Sequence, residues 1–373
     1  MTNARPRLLM ISRNFPPIVG GIENLMKSTL DVLCEDYDIV LVGPRGSSNH
    51  ARDALRVIEL PATIFLFLPF VLLVAPLYAL RYRPSIVISA NGLMAPVAWC
   101  ARLACSARHI GFLHGRDLVV RSKLYRWLFL PFVRRTPTNV VNSVNTKLLA
   151  RKQGIPESSL TVIHPCIRKP TAVATNRAFE SRVQNLGDYV LYAGRIVERK
   201  GLREFISACA DWISRESINL VIAGDAPTQS AGGNRRQYVS DVVHETRRLG
   251  IEDRVHFLGS LADDEMATCF RHARVHVMPL IDAPDDVEGF GMVAVEAASY
   301  GVPTVAFNCG GVADAIGCEE CLVIPGDYES FLAKVKQFHR QPDDPARWRS
   351  WAEGFYPENY RIKLLTLMDA RPA

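Results

Sequence analysis

Two glutamates eight positions apart, Glu288 and Glu296, frame the most chemically loaded stretch of this 373-residue chain, DAPDDVEGFGMVAVEAASYGVPTVAFNCGG from Asp282 to Gly311. Gly289 and Gly291 flank Phe290, so the backbone there can turn tightly and approach a ligand with no Cβ in the way. Met292 to Tyr300 reads as a helix, built of good formers and stopped by Gly301 and Pro303. Thr304 to Phe307 follows as a short buried strand. Glu288 then sits on the loop before the helix and Glu296 inside it. A glycine loop feeding a helix N-terminus offers backbone N–H groups and the positive end of the helix dipole to an anion. The pattern suits a phosphate held by amides, with a carboxylate on either side to accept hydroxyl protons. Either glutamate alone reads equally as a solvated helix charge. The spacing with E-G-F-G and the following G-V-P gives the pair its weight.

Three further clusters have the same strand, polar turn, helix layout. Gly194-Arg195 to Lys200-Gly201 follows the apolar run YVLYA and precedes a helix from Leu202 to Ser214. A planar guanidinium and a compact ammonium flanking one turn suit a diphosphate, although either alone reads as a surface charge. His114-Gly115-Arg116-Asp117 follows the apolar run HIGFL, and the C-terminal end of a parallel strand is where open α/β sheets bind ligands. His114 is therefore a functional candidate, against the alternative of a capping or core histidine. Gly20-Gly21 follows strand Arg7 to Ser12 and Pro16-Pro17, and opens a helix from Ile22 to Leu33. It reads as amides placed beside a phosphate or equally as a plain βα turn, and it lacks the G-x-G-x-x-G dinucleotide spacing.

These loops need a framework, and the chain supplies one. Apolar runs at 38–42, 56–60, 85–89, 139–142, 160–164, 220–223, 255–258 and 275–280 read as further strands between helical stretches. The length suits two domains, and 48% apolar with 22% charged residues is an ordinary globular mix. The net charge of +6 fits anionic substrates or an anionic membrane surface and does not call for nucleic acid. Nine scattered cysteines read as reduced thiols of a cytosolic protein; Cys318 and Cys321 have redox or zinc spacing with no second pair to complete a four-ligand site. The N-terminal stretch does not read as a signal peptide. Leu60 to Leu80 is 21 residues without a charge, interrupted by Pro61, Pro69 and Pro76. It reads as an apolar helix or hairpin dipping into the cytoplasmic leaflet rather than a spanning helix. Arg121 to Arg135 mixes five basic residues with four aromatics on one helical stretch and reads as a membrane-surface contact, or as a partly buried helix with solvated arginines. Residues 228–235 read as a mobile insertion.

The order E-G-F-G-x-x-x-x-E, G-x-P, G-G resembles the signature of retaining nucleotide-sugar glycosyltransferases of the GT-B fold, the large family four. F-P-P-x-x-G-G-x-E from Phe15, H-G-x-D from His114 and G-R-x-x-x-x-K-G from Gly194 resemble its other motifs, so the resemblance runs from Phe15 to about Met368. The resemblance implies an α/β chain of two Rossmann-like domains facing each other across a cleft. Residues 1–167 would form the acceptor domain, 168–187 a linker, 188–350 the nucleotide-sugar domain, and 351–373 a helix crossing back. It implies retaining, metal-independent transfer of a hexose of mannose, glucose or N-acetylhexosamine type from a UDP- or GDP-sugar, with no cofactor, to a lipid-linked or oligosaccharide acceptor. Catalytic roles carry over to His114, Arg195, Lys200 and Glu288. Donor-binding roles carry over to these last three with Gly20, Gly21, Gly259, Leu261, Gly289, Phe290, Gly291, Met292, Val293 and Glu296. Acceptor contacts carry over to Glu23, His114 and Asp117. Cys166 and Ala226 stand where the family commonly has glycine. The apolar and basic-aromatic segments point to a polyprenyl-diphosphate-linked acceptor in bacterial envelope or exopolysaccharide synthesis, such as lipopolysaccharide, at the inner face of the cytoplasmic membrane. The alternative is an inactive scaffolding subunit of a polysaccharide complex.

Overall fold

The computed structural model describes residues 5–170, 176–225, 234–283, 286–341 and 343–370. They divide into two compact units: unit 1 holds 5–166, 286–289 and 357–370, and unit 2 holds 167–283 and 290–356. Unit 1 runs β1 (Arg7–Ile11), α1 (Gly21–Leu33), β2 (Asp38–Pro44), β3 (Arg56–Leu60), α2 (Ile64–Tyr82), β4 (Ile86–Ser89), α3 (Ala95–Cys105) and β5 (Arg108–Leu113). It continues with α4 (Gly115–Val119), α5 (Lys123–Leu128), α6 (Leu130–Arg134), β6 (Thr138–Val141), α7 (Val144–Lys152) and β7 (Leu160–Val162). Unit 2 runs α8 (Arg177–Gln184), β8 (Tyr189–Ala193), α9 (Leu202–Glu216), β9 (Asn219–Ala223), α10 (Asn234–Arg248), β10 (Val255–Gly259), α11 (Asp263–His272) and β11 (Ala273–Met278). It ends with α12 (Met292–Ser299), β12 (Thr304–Phe307), α13 (Val312–Ile316), β13 (Leu322–Val323), α14 (Tyr328–Arg340) and α15 (Pro345–Glu353), after which α16 (Pro357–Asp369) returns to unit 1.

Both sheets are parallel. Unit 1 has the order β3-β2-β1-β4-β5-β6-β7 and unit 2 the order β10-β9-β8-β11-β12-β13. Each is doubly wound: the chain steps outward one way from the first strand, then returns to build the other side. The order reverses between β1 and β4 and between β8 and β11. At such a switch point the loops leave in opposite directions and open a crevice at the carboxyl ends of the strands.

The strands read as continuous apolar runs because both faces of each sheet are covered. In unit 1, Leu8, Met10, Ile39, Leu41, Ile86 and Ile88 face one core, while Leu9, Ile11, Val40, Val42 and Val87 face the other. Helices α1 and α16 cover the first face. Leu25, Met26, Leu30 and Leu33 of α1 follow the i, i+4 spacing of an amphipathic helix. Tyr360, Leu364 and Met368 of α16 join the same core. The Tyr360 and Thr29 hydroxyls are 2.9 Å apart, and Arg361 donates two 2.8 Å bonds to the Asp36 carboxylate.

Four stretches differ from the sequence reading. The helix that joins unit 1 begins at Pro357, not at 351; Trp351 and Phe355 belong to unit 2, where their rings meet. The polar stretch 168–187 carries α8, whose Asn176 side chain accepts from the Ala178 and Phe179 amides. That stretch belongs to unit 2 and has a cap and a buried Phe179 and Val183, so it is not a structureless linker. Residues 121–135 form two short helices instead of one. Pro131 sits in the first turn of α6, where it lacks an N–H to continue the preceding ladder. Most of the predicted insertion, residues 228–233, lies outside the described residues.

Leu364 is fully buried and Ile362, two residues before it, is 59% exposed. Leu364→Ala is expected to destabilise unit 1 by about 2–5 kcal/mol, and Ile362→Ala by less than about 0.5 kcal/mol, in urea unfolding followed by a unit-1 probe. Equal midpoints for the two variants would show that α16 is not part of that core.

Candidate functional site

In unit 1 the carboxyl edge of the sheet carries a row of polar side chains on four neighbouring strands: Asn14 after β1, Asn91 after β4, His114 after β5 and Asn142 after β6. The row is knitted together at the switch point. Asn91 Nδ2 donates to Asn14 Oδ1 (2.7 Å), Asn14 Nδ2 donates to Glu23 Oε1 (2.7 Å), and the Met94 amide donates to Asn91 Oδ1 (3.2 Å). Glu23 is buried and its other oxygen lies over Gly20, where any Cβ would fall 2.2 Å from it. The glycine at 20 therefore makes room for a carboxylate that holds the first loop in place.

His114 is 4% exposed. Its Nε2 lies 2.9 Å from the Ala90 carbonyl, and since a carbonyl only accepts, Nε2 carries the hydrogen. Its backbone N–H donates to Asp117 Oδ2 at 3.0 Å, which caps α4. Burial pushes the Asp117 carboxyl up, against the downward pull of His114 and of the His114 and Gly92 amides. The carboxylates expected to touch an acceptor, Glu23 and Asp117, are thus engaged in fixing Asn14 and His114. Glu288 and Gly289 group with this unit. A Cβ on Gly289 would sit 2.7 Å from Asn142 Nδ2, and the Gly289 Cα lies under Gly115. Asn142 is 9% exposed, and its Oδ1 has no hydrogen-bond partner among the described residues.

In unit 2 three βα turns stack at the β8/β11 switch point and its flank. The Gly194 amide donates to the Ala223 carbonyl (2.9 Å), Ile196 N to Asp225 O (3.1 Å), and Gly224 N to Gly259 O (2.8 Å). The Tyr192 hydroxyl donates to the Arg195 carbonyl at 3.0 Å and fixes the turn that leaves the Arg195 side chain exposed. Lys200 is half-buried, and Gly201 follows it with φ 64°. A Cβ on Gly201 would meet the Pro279 carbonyl oxygen at 1.8 Å, and Ile281 N donates to Arg199 O at 2.8 Å. The two-cation turn is thereby bonded to the segment after β11 that leads into E-G-F-G. Lys200 also acts on the core: burial first, then its charge, pushes the buried His276 imidazole down to about 3, so that ring is neutral.

Gly291, at φ 94°, is the N-cap of α12, and no side chain caps that helix. Its amides are left to face an anion. The Phe290 ring is 2% exposed and packs 5.7 Å from the Phe355 ring, so this residue anchors the loop and can offer a ligand only its backbone. Met292 and Val293 pack on the unit 2 core, and Leu261, two residues past β10, packs against the buried cluster of Phe179, Tyr189 and Phe270. Glu296 sits one turn inside α12. Burial first and Asp263 second push its carboxyl up to about 7, with the Arg168 guanidinium opposing. Arg168 is itself paired with Asp263. Among the described residues no group of three or more His, Cys, Asp and Glu is placed to hold a metal ion.

The structure thus gathers Gly20, Gly21, Glu23, His114, Asp117, Glu288 and Gly289 in unit 1, and Arg195, Lys200, Gly259, Leu261, Phe290, Gly291, Met292, Val293 and Glu296 in unit 2. The sequence reading left Asn14, Asn91 and Asn142 without a role. The available signal was a polar residue within three positions after each apolar strand run.

Comparison with known proteins gives consistent matches. The family described as Glycosyltransferase Family 4 matches residues 19–168, and Glycosyl transferases group 1 matches residues 175–354. The chain is 28% identical over 335 residues to a GDP-mannose-dependent alpha-(1-6)-phosphatidylinositol monomannoside mannosyltransferase of Mycobacterium tuberculosis, covering 83% of this chain and 82% of that protein. It is 24% identical over 371 residues to a GDP-mannose-dependent monoacylated alpha-(1-6)-phosphatidylinositol monomannoside mannosyltransferase of Corynebacterium glutamicum, covering 92% and 91%. In fold it is similar to Anabaena HepE, solved in complex with UDP, with a TM-score of 0.78 at 17% identity over 97% of this chain and 99% of that one. The two doubly wound units are those of the GT-B fold.

A carboxyl pushed above its ordinary 4.5 stabilises the fold when protonated, and that stabilisation is lost as pH rises toward about 7. Glu296→Gln removes the titration. The variant is expected to gain melting temperature relative to the native protein as pH rises from about 5 to about 8, and to match it near pH 4. Melting curves that run parallel across this range would contradict the burial assigned to Glu296.

Proposed function

We propose that this chain, which belongs to glycosyltransferase family 4, moves a hexose from a nucleotide-diphosphate sugar to a lipid-linked acceptor with retention of anomeric configuration. The observation that supports it best is the pairing of Arg195 and Lys200 on one turn at the β8/β11 switch point of a unit that also contains the N-terminus of α12, which no side chain caps. As the sugar–phosphate bond breaks, negative charge grows on the β-phosphate. The two cations and the amides of α12 are the groups to stabilise it, so the reaction requires no metal ion. Glu296 accepts ribose hydroxyls; Glu288 and His114 orient the transferred sugar. The His114 ring, fixed through Ala90, meets the sugar with a set orientation. No carboxylate is set beside the sugar as a nucleophile: Asp117 and Glu23 are engaged in holding the loops. The acceptor hydroxyl accordingly attacks from the face the diphosphate leaves, passing its proton toward the departing oxygen.

The mycobacterial and corynebacterial relatives favour GDP-mannose as donor and a lipid-anchored glycan as acceptor. A polyprenyl-diphosphate-linked glycan is the second acceptor of this class. Envelope or exopolysaccharide assembly on the cytoplasmic side of the membrane is the setting such acceptors imply.

The test is transfer of labelled sugar from GDP-mannose and UDP-glucose into the organic phase with lipid-linked acceptors. One donor should be used, the product should keep the donor's anomeric configuration, and Lys200→Ala should lower kcat/KM by about 100-fold or more. A product of inverted configuration, or undiminished turnover by Lys200→Ala, would overturn the reading.

A further inference from the structure

Helix α2 is unusual for a crossover helix. Its most apolar 18-residue window has a mean hydropathy of 2.1, yet only 22% of that window is buried. Its buried residues, Phe67, Val71, Ala75 and Ala79, form a single seam of four-residue spacing against β1, β2 and β4. Phe65, Leu66, Phe70, Leu73, Leu77 and Leu80 lie 47–84% exposed on the other side. An apolar area of this extent on an outer helix marks an interaction surface. The two ends of α2 are tied to one sheet: Arg13 Nε donates to the Ala62 carbonyl (3.0 Å) and Arg7 Nη1 to the Tyr82 carbonyl (3.1 Å). The helix starts at the carboxyl edge of the sheet, after β3, and ends at the amino edge, before β4. It cannot cross a bilayer without leaving that sheet.

The apolar surface continues over neighbouring helices. Helices α2 and α3 pack on the same core, and Trp99 of α3 meets Phe132 of α6 edge-on at 6.1 Å. Leu103 of α3, and Leu124 and Trp127 of α5, are 62–75% exposed. Helices α2, α3 and α6 cover the sheet face opposite α1 and α16, and α5 packs against α6. Charge selects what this layer meets. Between Pro61 and Thr136 the sequence has ten arginines and lysines against one aspartate, a net +9 in a chain whose total is +6. The aspartate is Asp117, turned to the His114 amide. Arg81, Arg83, Lys123 and Arg126 are exposed at the ends of α2 and along α5.

We propose that the outer layer α2–α3–α5 docks this protein on an anionic bilayer leaflet, with α2 lying in the plane of the interface and its apolar side sunk among the lipid chains. An in-plane helix of this kind buries its apolar side by several ångströms, roughly 5–10 Å, while basic residues reach the headgroups. The binding stands on unit 1 alone. Only its purpose, holding the enzyme where a lipid-linked acceptor lies, rests on the proposed transfer reaction.

The experiment is flotation of the full chain with vesicles of phosphatidylcholine, with and without phosphatidylglycerol. Two variants accompany it: Phe65→Ser/Leu73→Ser/Leu77→Ser and Lys123→Glu/Arg126→Glu. Circular dichroism and nucleoside-diphosphate binding report that each variant is folded and that the donor site is intact, which keeps the outcome separate from that of the transferase reading. The native chain should float with the anionic vesicles and not the neutral ones, lose most binding at high salt, and leave membranes on carbonate extraction. Each variant should lower partitioning by about tenfold or more. Undiminished flotation of the apolar variant, equal binding to neutral vesicles, or resistance to carbonate would overturn the proposal. So would a dimer in solution that the apolar variant dissociates, since a second copy would then be the occupant.

Discussion

The edge of unit 2 that carries Arg195 and Lys200 depends on one close approach of backbone to backbone. Gly201 lies so near the Pro279 carbonyl that a Cβ would fall 1.8 Å from its oxygen, and the Arg199 carbonyl takes the Ile281 amide beside it. Only glycine accepts both that contact and a φ of 64°. Through this contact the turn bearing Arg195 and Lys200 is fixed to the segment that runs on into E-G-F-G. Gly291 then turns the chain so that α12 begins with its amides uncapped. Two cations on a turn held by main-chain contacts, together with the N-terminus of α12, are the features on which the proposed diphosphate site rests.

Unit 1 solves the corresponding problem with side chains. Its switch point is bridged by Asn14 and Asn91, with Glu23 closing the chain of bonds from α1. His114 is fixed from two sides, by the Ala90 carbonyl and by the Asp117 carboxylate. The buried carboxylates are tolerated because each accepts hydrogen bonds from its neighbours. On the opposite flank the same unit leaves α2 half-wrapped. The seam of Phe67, Val71, Ala75 and Ala79 suffices to hold the helix, and the rest of its apolar surface is turned outward.

Much of this was legible in the sequence. The apolar runs mark nearly all strands because a parallel sheet covered on both faces leaves no polar alternation to blur them. The glycine turns and their cations stood out because close approach and charge leave few residue choices. What the sequence concealed was partnership. The backbone around Phe290 reads as a ligand contact, and the sequence did not show that its ring is anchored on Phe355, a residue 65 positions away. Glu23 and Asp117 read as acceptor contacts and prove to be bonded to Asn14 and to the His114 amide. The asparagines after β1, β4 and β6 became a row only when the strand order made those strands neighbours. Helix α8 was missed because a short capped helix in a polar stretch has too few apolar positions to show a period.

On the proposed function, unit 2 reads the second phosphate of its ligand. Calorimetric titration of a nucleoside diphosphate and of the matching monophosphate, on the native chain and on Arg195→Ala, tests it most directly. The native chain should prefer the diphosphate by at least about tenfold, and Arg195→Ala should lose most of this preference while keeping its affinity for the monophosphate. Equal affinity of the native chain for the two nucleotides would contradict it.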